Sequence, residues 1–176
     1  MGEQSGKQAL LFFDKTKRTK VPQGGSMRIR GFEIVKKYKG KNIHLPQRKT
    51  GMSAGYDIEA AADCVLLPHK VMLVATGIKV YMQPDEYLGI HVRSGFSIKN
   101  QVTCINNQGI IDADYYNNLE NEGHIMLAFV NHSDKNIVVA KGMRIAQGIF
   151  YRYLIVDGDA VGQGELRQGG IGSTGE

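Results

Sequence analysis

Four short stretches and a glycine-rich tail hold the residues of this chain best suited to act on a polyphosphate. The last ten residues run Arg167-Gln168-Gly169-Gly170-Ile171-Gly172-Ser173-Thr174-Gly175-Glu176. Backbone N–H groups at Gly169, Gly170 and Gly172, the hydroxyls of Ser173 and Thr174 and the guanidinium of Arg167 are the donors that wrap phosphate oxygens. By composition alone the same stretch reads as a flexible linker. Upstream stand Ala54-Gly55-Tyr56-Asp57-Ile58, Arg93-Ser94-Gly95, Gly109-Ile110-Ile111-Asp112-Ala113-Asp114-Tyr115 and Arg144-Ile145-Ala146-Gln147. Cleaving a polyphosphate with water needs a positioned water, a base for its proton and charge stabilisation for the leaving group. Asp112, flanked by Ile110 and Ile111, suits the base; taken alone it is equally an ordinary turn aspartate. Arg93 and Ser94 follow a strand end, where a rigid scaffold projects groups into a site. Gln147 lies in a strand-like run, so its amide is either on the solvent face or bonded to a ligand. Arg144 reads as a brace, with Asp57 as the carboxylate its guanidinium requires.

The bulk properties narrow the class. At 176 residues and 42% hydrophobic the chain can bury one substantial core. Glycine is abundant, 22 residues against only 4 prolines, which implies many turns. Cys64 and Cys104 have neither CxxC nor His-Cys spacing, so they read as small hydrophobes suited to a reducing cytoplasm. The five histidines show no ligand spacing, which argues against zinc. No run approaches the roughly 18 apolar residues of a membrane span, and Ala9-Leu10-Leu11-Phe12-Phe13 is short for a signal peptide, so a cytoplasmic protein is expected. A formal charge of +5 invites a nucleic-acid reading. Its distribution opposes that: residues 1–26 hold five basic and two acidic side chains, or +3, leaving +2 for the other 150. A second basic stretch, Lys36 to Lys49, reads as a solvated loop because no aromatic ladder accompanies it.

Short strands must position these groups. Arg28 to Ile34 shows partial alternation, and Lys70 to Tyr81 is dense in Val, Leu, Ile and Met with a break at Gly77. Tyr87 to Val92, His124 to Asn131 and Arg144 to Val156 continue the pattern, with turns at 83–85, 131–134 and 157–159. Only Ser94 to Gln101 admits a short helix. An all-β sandwich or jelly roll follows. The organisation expected is a leader or disordered extension over 1–26, one β domain over 27–165 and a flexible glycine-rich arm over 166–176.

Taken in order, the four stretches and the tail resemble the five motifs of the trimeric dUTPases, over roughly 54–175. The resemblance implies a homotrimer of jelly-roll-like subunits with sites at their interfaces, the arm closing over an active site, and hydrolysis of dUTP to dUMP and pyrophosphate, which limits uracil in DNA and supplies dUMP for dTMP synthesis. It implies that Asp112 orients the attacking water on the α-phosphate. Arg93, Ser94, Gly95 and Gln147 would contact phosphates, with Ser94 near the α–β bridge, and Arg167, Gly170, Ile171, Gly172, Ser173 and Thr174 would form the lid. Asp57 either pairs with Arg144 or touches a magnesium-bound water. Mg2+ keeps several waters and prefers phosphate oxygens, so no direct protein ligand is expected. Base selection falls to a hairpin holding Asn106, Asn107, Gln108 and Tyr115, too tight for thymine's methyl, with Asn106 the side chain for the base and Gly109 a further substrate contact. Tyr115 would lie against the deoxyribose and exclude a 2′-hydroxyl; the other readings are a core strand aromatic, or Tyr116 in its place.

The chain departs from the family pattern in four places. Asn117 stands where glycine is usual after the tyrosine, though Asn also adopts left-handed backbone. Met143 replaces an acidic residue before Arg144, Arg167 sits one residue closer to the glycines, and Ile171 replaces the stacking aromatic. Two other functions stay in view: a dCTP deaminase of the same fold, and a dUTPase-like regulator that binds a protein partner through Asn118-Leu119-Glu120-Asn121-Glu122.

Overall fold

The structure is a computed structural model and describes residues 28–160. Twelve strands and one helix follow in order: β1 (Gly31–Ile34), β2 (Gln47–Arg48), β3 (Tyr56–Glu59), β4 (Cys64–Leu66), β5 (Val71–Ala75), β6 (Ile78–Tyr81), β7 (Glu86–Val92), α1 (Ser94–Asn100), β8 (Val102–Cys104), β9 (Gly109–Asp112), β10 (Met126–Asn131), β11 (Ile137–Val139) and β12 (Arg144–Arg152). Short 3-10 turns cover Lys36–Tyr38 and Ala113–Tyr115. This is the all-β architecture with one short helix that the strand patterning implies. Among the described residues no helix is long and apolar enough to cross a membrane.

Every ladder is antiparallel. The largest sheet runs β2-β3-β12-β7-β9, a second runs β5-β10-β8, and β1-β6 and β11-β4 form two-stranded pairs. Alternation decides which faces meet. In β10, Leu127, Phe129 and Asn131 are buried while Met126, Ala128 and Val130 are partly exposed, the period of two expected of a half-buried strand. Leu127 and Phe129 join Ile58, Leu66, Leu88, Ile90, Val102, Ile125 and Ile145 in one core. Gly77, at φ +71°, ends β5 and opens β6, so the break in the Lys70–Tyr81 run is a turn requiring left-handed backbone. Gln101 adopts the same region as the cap of α1.

The nine-residue β12 is the spine of the functional face, pairing with β3 on one edge and β7 on the other. Directly opposed residues of antiparallel strands share a face. The register sets Gln147 between Asp57 and His91, which puts these three side chains in one row on the side away from the core.

Candidate active site

Asp57 is the hub of a charged cluster. Its Oδ2 accepts from Nη1 of Arg144 and its Oδ1 forms an ion pair with Nε of Arg93, each at 3.0 Å. Arg144 reaches this face because of a bulge. The register passes from Arg144↔Glu59 to Ala146↔Ile58, so Ile145 is the extra residue, and Ile145 and Ala146 are both fully buried. Such an extra residue re-aims the side chains that precede it; in regular alternation Arg144 would oppose the Gln147 face. The contact expected between Arg144 and Asp57 is thus present, and Asp57 simultaneously holds Arg93.

Gln147 lies beside the cluster on the same face. Gly55 permits its approach: a Cβ there would stand 2.5 Å from Gln147 Oε1. Ser94 and Gly95 are exposed in the first turn of α1, where backbone N–H groups lack intrahelical acceptors. A cavity of about 410 Å³ adjoins the cluster, lined by His44, Gln47, Arg48, Lys49, Asp57, Glu59 and Arg144. Part of the basic stretch read as a solvated loop therefore faces the site. His44 Nδ1 is 3.0 Å from Glu59 Oε2 across that cavity.

The segment from Asn106 to Tyr115 lies elsewhere. Sequence suggests a hairpin, but β8 pairs with β10 and β9 with β7. The turn carrying Asn106, Asn107 and Gln108 thus passes from one sheet to another. Asn106 is exposed and Asn107 is left-handed at φ 57°. Gln108 anchors the turn, its Nε2 donating to His91 Nε2 at 3.0 Å, with Tyr151 Oη 3.2 Å from the same nitrogen. Sequence reasoning missed His91, whose signal was its position in β7, two residues before Arg93.

Asp112 ends β9 and begins the 3-10 turn that carries Tyr115. Tyr115 is 8% exposed and lies in that turn rather than in a strand. Its hydroxyl donates to the carbonyl of His124 at 3.1 Å and accepts from Asn121 Nδ2 at 2.8 Å. Tyr116 faces another group of residues: it donates to Glu33 Oε2 at 2.7 Å and lies under Lys79 Nζ. Asn117 is left-handed at φ 59°, the conformation its replacement of glycine demands. The stretch Asn118–Glu122, read from sequence as inserted surface, is only partly so, since Asn118 is buried while Leu119 is 93% exposed.

Separation between these groups limits the chemistry of one chain. Asp112 is opposite Tyr87 on β7, and Arg93 comes six residues after Tyr87. At about 3.4 Å per residue that sets the two positions about 20 Å apart along β7, too far for the two side chains to meet. Asp57, Arg93, Arg144 and Gln147 are brought together; Asp112 and Tyr115 are not brought to them. Arg167, Gly170, Ile171, Gly172, Ser173 and Thr174 lie outside the described residues.

No group of three or more His, Cys, Asp or Glu among the described residues could hold a metal ion. Asp57 has each oxygen on an arginine, so this donor set fits a cation held through phosphate and water rather than by direct ligation.

The dUTPase family model matches residues 41–175. The deoxyuridine 5′-triphosphate nucleotidohydrolase of Lactococcus lactis is 48% identical over 149 residues, spanning 85% of this chain and 99% of that protein. The enzyme of the same name from Clostridium tetani is 36% identical over 139 residues, spanning 77% and 92%. Among solved structures, the dUTPase from Streptococcus mutans superposes with a TM-score of 0.70 at 41% identity, covering 73% of this chain and 99% of that one.

Proposed function

The chain belongs to the dUTPase family and hydrolyses dUTP, and we propose that it does so at a site shared between copies of the chain. One copy supplies Arg93, Ser94, Gly95 and Gln147 to the phosphates, with Asp57 and Arg144 bracing them. A second supplies Asp112, which accepts the proton of the water attacking the α-phosphate, together with Asn106 and Gly109 for the uracil edge and Tyr115 for the deoxyribose. The segment with Arg167, Gly170, Ile171, Gly172, Ser173 and Thr174 closes over the triphosphate. The observation that carries this reading is the separation of about 20 Å between Asp112 and Arg93 along β7, against the convergence of two arginines on Asp57. A homotrimer satisfies it, each interface joining the two halves.

In this scheme Asp57 holds Arg93 so that a guanidinium edge is presented to the phosphates before substrate arrives, and preorganisation of that kind is what makes charge stabilisation effective. Mg2+, when bound, neutralises charge on the triphosphate oxygens, and Asp57 or Glu59 would hold it through water. Asp112 then needs only to orient and deprotonate one water.

The test is complementation. Asp112→Asn and Arg93→Ala copies, each nearly inactive alone, regain pyrophosphate release on mixing, because some interfaces then carry an intact Asp112 opposite an intact Arg93. Persistent inactivity after confirmed subunit exchange refutes the shared site. Parallel incubations with dCTP, dTTP and UTP leave those nucleotides largely unreacted, and ammonia release from dCTP would instead favour deamination.

A further inference from the structure

We propose that Asn121 is a positioning residue for sugar selection, acting through the hydroxyl of Tyr115; this rests on the reading of Tyr115 as the residue that meets the deoxyribose. Tyr115 is held at both ends. Asn121 Nδ2 donates to its hydroxyl at 2.8 Å while that hydroxyl donates to the carbonyl of His124 at 3.1 Å. At the other end, Asn118 Nδ2 donates to the Tyr115 carbonyl at 2.9 Å. The two amides are themselves linked, Asn118 Nδ2 donating to Asn121 Oδ1 at 3.0 Å. Asn121 Oδ1 also takes the N–H of Gly123 at 3.0 Å, and Asn118 Oδ1 takes the N–H groups of Glu120 and Asn121, each at 3.1 Å.

This bracket is fixed to the sheet. Lys79, buried on β6, donates to Asn117 Oδ1 and to Glu122 Oε1, each at 2.6 Å. Gly123 closes the loop at φ +78°, and a Cβ there would stand 2.6 Å from the Tyr115 carbonyl. Residues 117–123 therefore form a rigid strap with Tyr115 as the object it restrains.

Rigidity matters because the discrimination is steric. Nucleotides carrying 2′-hydrogen and 2′-hydroxyl differ by one oxygen, and an apolar wall rejects an added hydroxyl poorly when it can yield. A phenol bonded at its hydroxyl and its own carbonyl cannot pivot aside. Asn121 supplies a side-chain donor to that hydroxyl, so it limits how far the ring yields to a ribonucleotide.

The experiment measures kcat/KM for dUTP and UTP in Asn121→Ala, Tyr115→Phe, their double variant and Tyr115→Ala, with thermal melts alongside. Asn121→Ala and Tyr115→Phe should each lower the dUTP-to-UTP ratio by about tenfold or more. The double variant should lower the ratio little further, since both changes delete the same Asn121–Tyr115 hydrogen bond. A strap with a structural role only would shift Tm and leave the ratio alone. If Tyr115→Ala collapses the ratio while Asn121→Ala and Tyr115→Phe keep it, the role of Asn121 is overturned with the reading of Tyr115 intact. A ratio unchanged in Tyr115→Ala overturns both. Should Asn121→Ala fail to fold, Tyr115→Phe removes the same hydrogen bond without touching the strap.

Discussion

Replacing Asp57 with asparagine removes one charge and almost no volume from the centre of the charged cluster. Its carboxylate is 14% exposed, and the two guanidinium groups are 33% and 40% exposed. A charge-assisted hydrogen bond contributes about 1.5–3 kcal/mol when well shielded and a fully exposed pair about 0.2–1 kcal/mol. With arginines a third or more in solvent, about 1–1.5 kcal/mol per contact is reasonable, or about 2–3 kcal/mol for the pair. Asparagine recovers part of that. Its oxygen still accepts from one arginine, but its NH2 turns a donor toward the other, so one guanidinium is left facing an N–H group. The expected result is a fall in kcat/KM for dUTP of about 10- to 100-fold, the equivalent of about 1.4–2.8 kcal/mol in the transition state. The assay is pyrophosphate release at 25 °C, well below the melting temperature, with melts of both proteins as a stability control. A variant within threefold of wild type, with Tm unchanged, would refute the claim that Asp57 organises the arginines.

Two further outcomes follow from local geometry. Gly55→Ala should fold normally yet lose activity, because its Cβ would stand 2.5 Å from Gln147 Oε1, the end of a side chain that can swing away from its functional position; wild-type kcat/KM in that variant would show that Gln147 does not need this rotamer. His124 gives a pH dependence: burial holds its imidazole below the ordinary value of about 6.5, helped by Lys37, and its Nε2 accepts the N–H of Gly77 at 3.0 Å, so the unfolded chain binds the extra proton and stability falls as pH drops below about 6.5. Against His124→Gln, wild type should lose about 2–4 °C in Tm for each kcal/mol as pH falls from 7.5 to 5.5, and a pH-independent difference would sink the assignment.

Much of the strand framework was legible because it is local. The alternation in β10, the break at Gly77 and the helix after Arg93 each depend on a few neighbouring residues. Strand pairing was not legible in the same way. The turn after Cys104 carries the signals of a hairpin, yet the flanking strands join different sheets, a choice made by which faces bury Val102, Cys104 and Ile111 rather than by the turn residues. The bulge at Ile145 is equally invisible in Arg144-Ile145-Ala146-Gln147, since a run of two buried residues shows its extra position only against a partner strand.

The candidate site divides along the same line. Residue types could be read from sequence because a triphosphate demands arginine, hydroxyl and carboxylate, and each stands beside the glycine or strand end that presents it. Their grouping depends on contacts between distant positions: Asp57 meets Arg93 and Arg144 only because β3 and β7 flank opposite edges of β12. The same register sends Asp112 to the far end of β7. If Asp112 is the base, as proposed above, it then reaches the phosphates only from a second copy, which makes the separation of Asp112 from the Asp57 cluster along this sheet the feature that most directly supports a shared site.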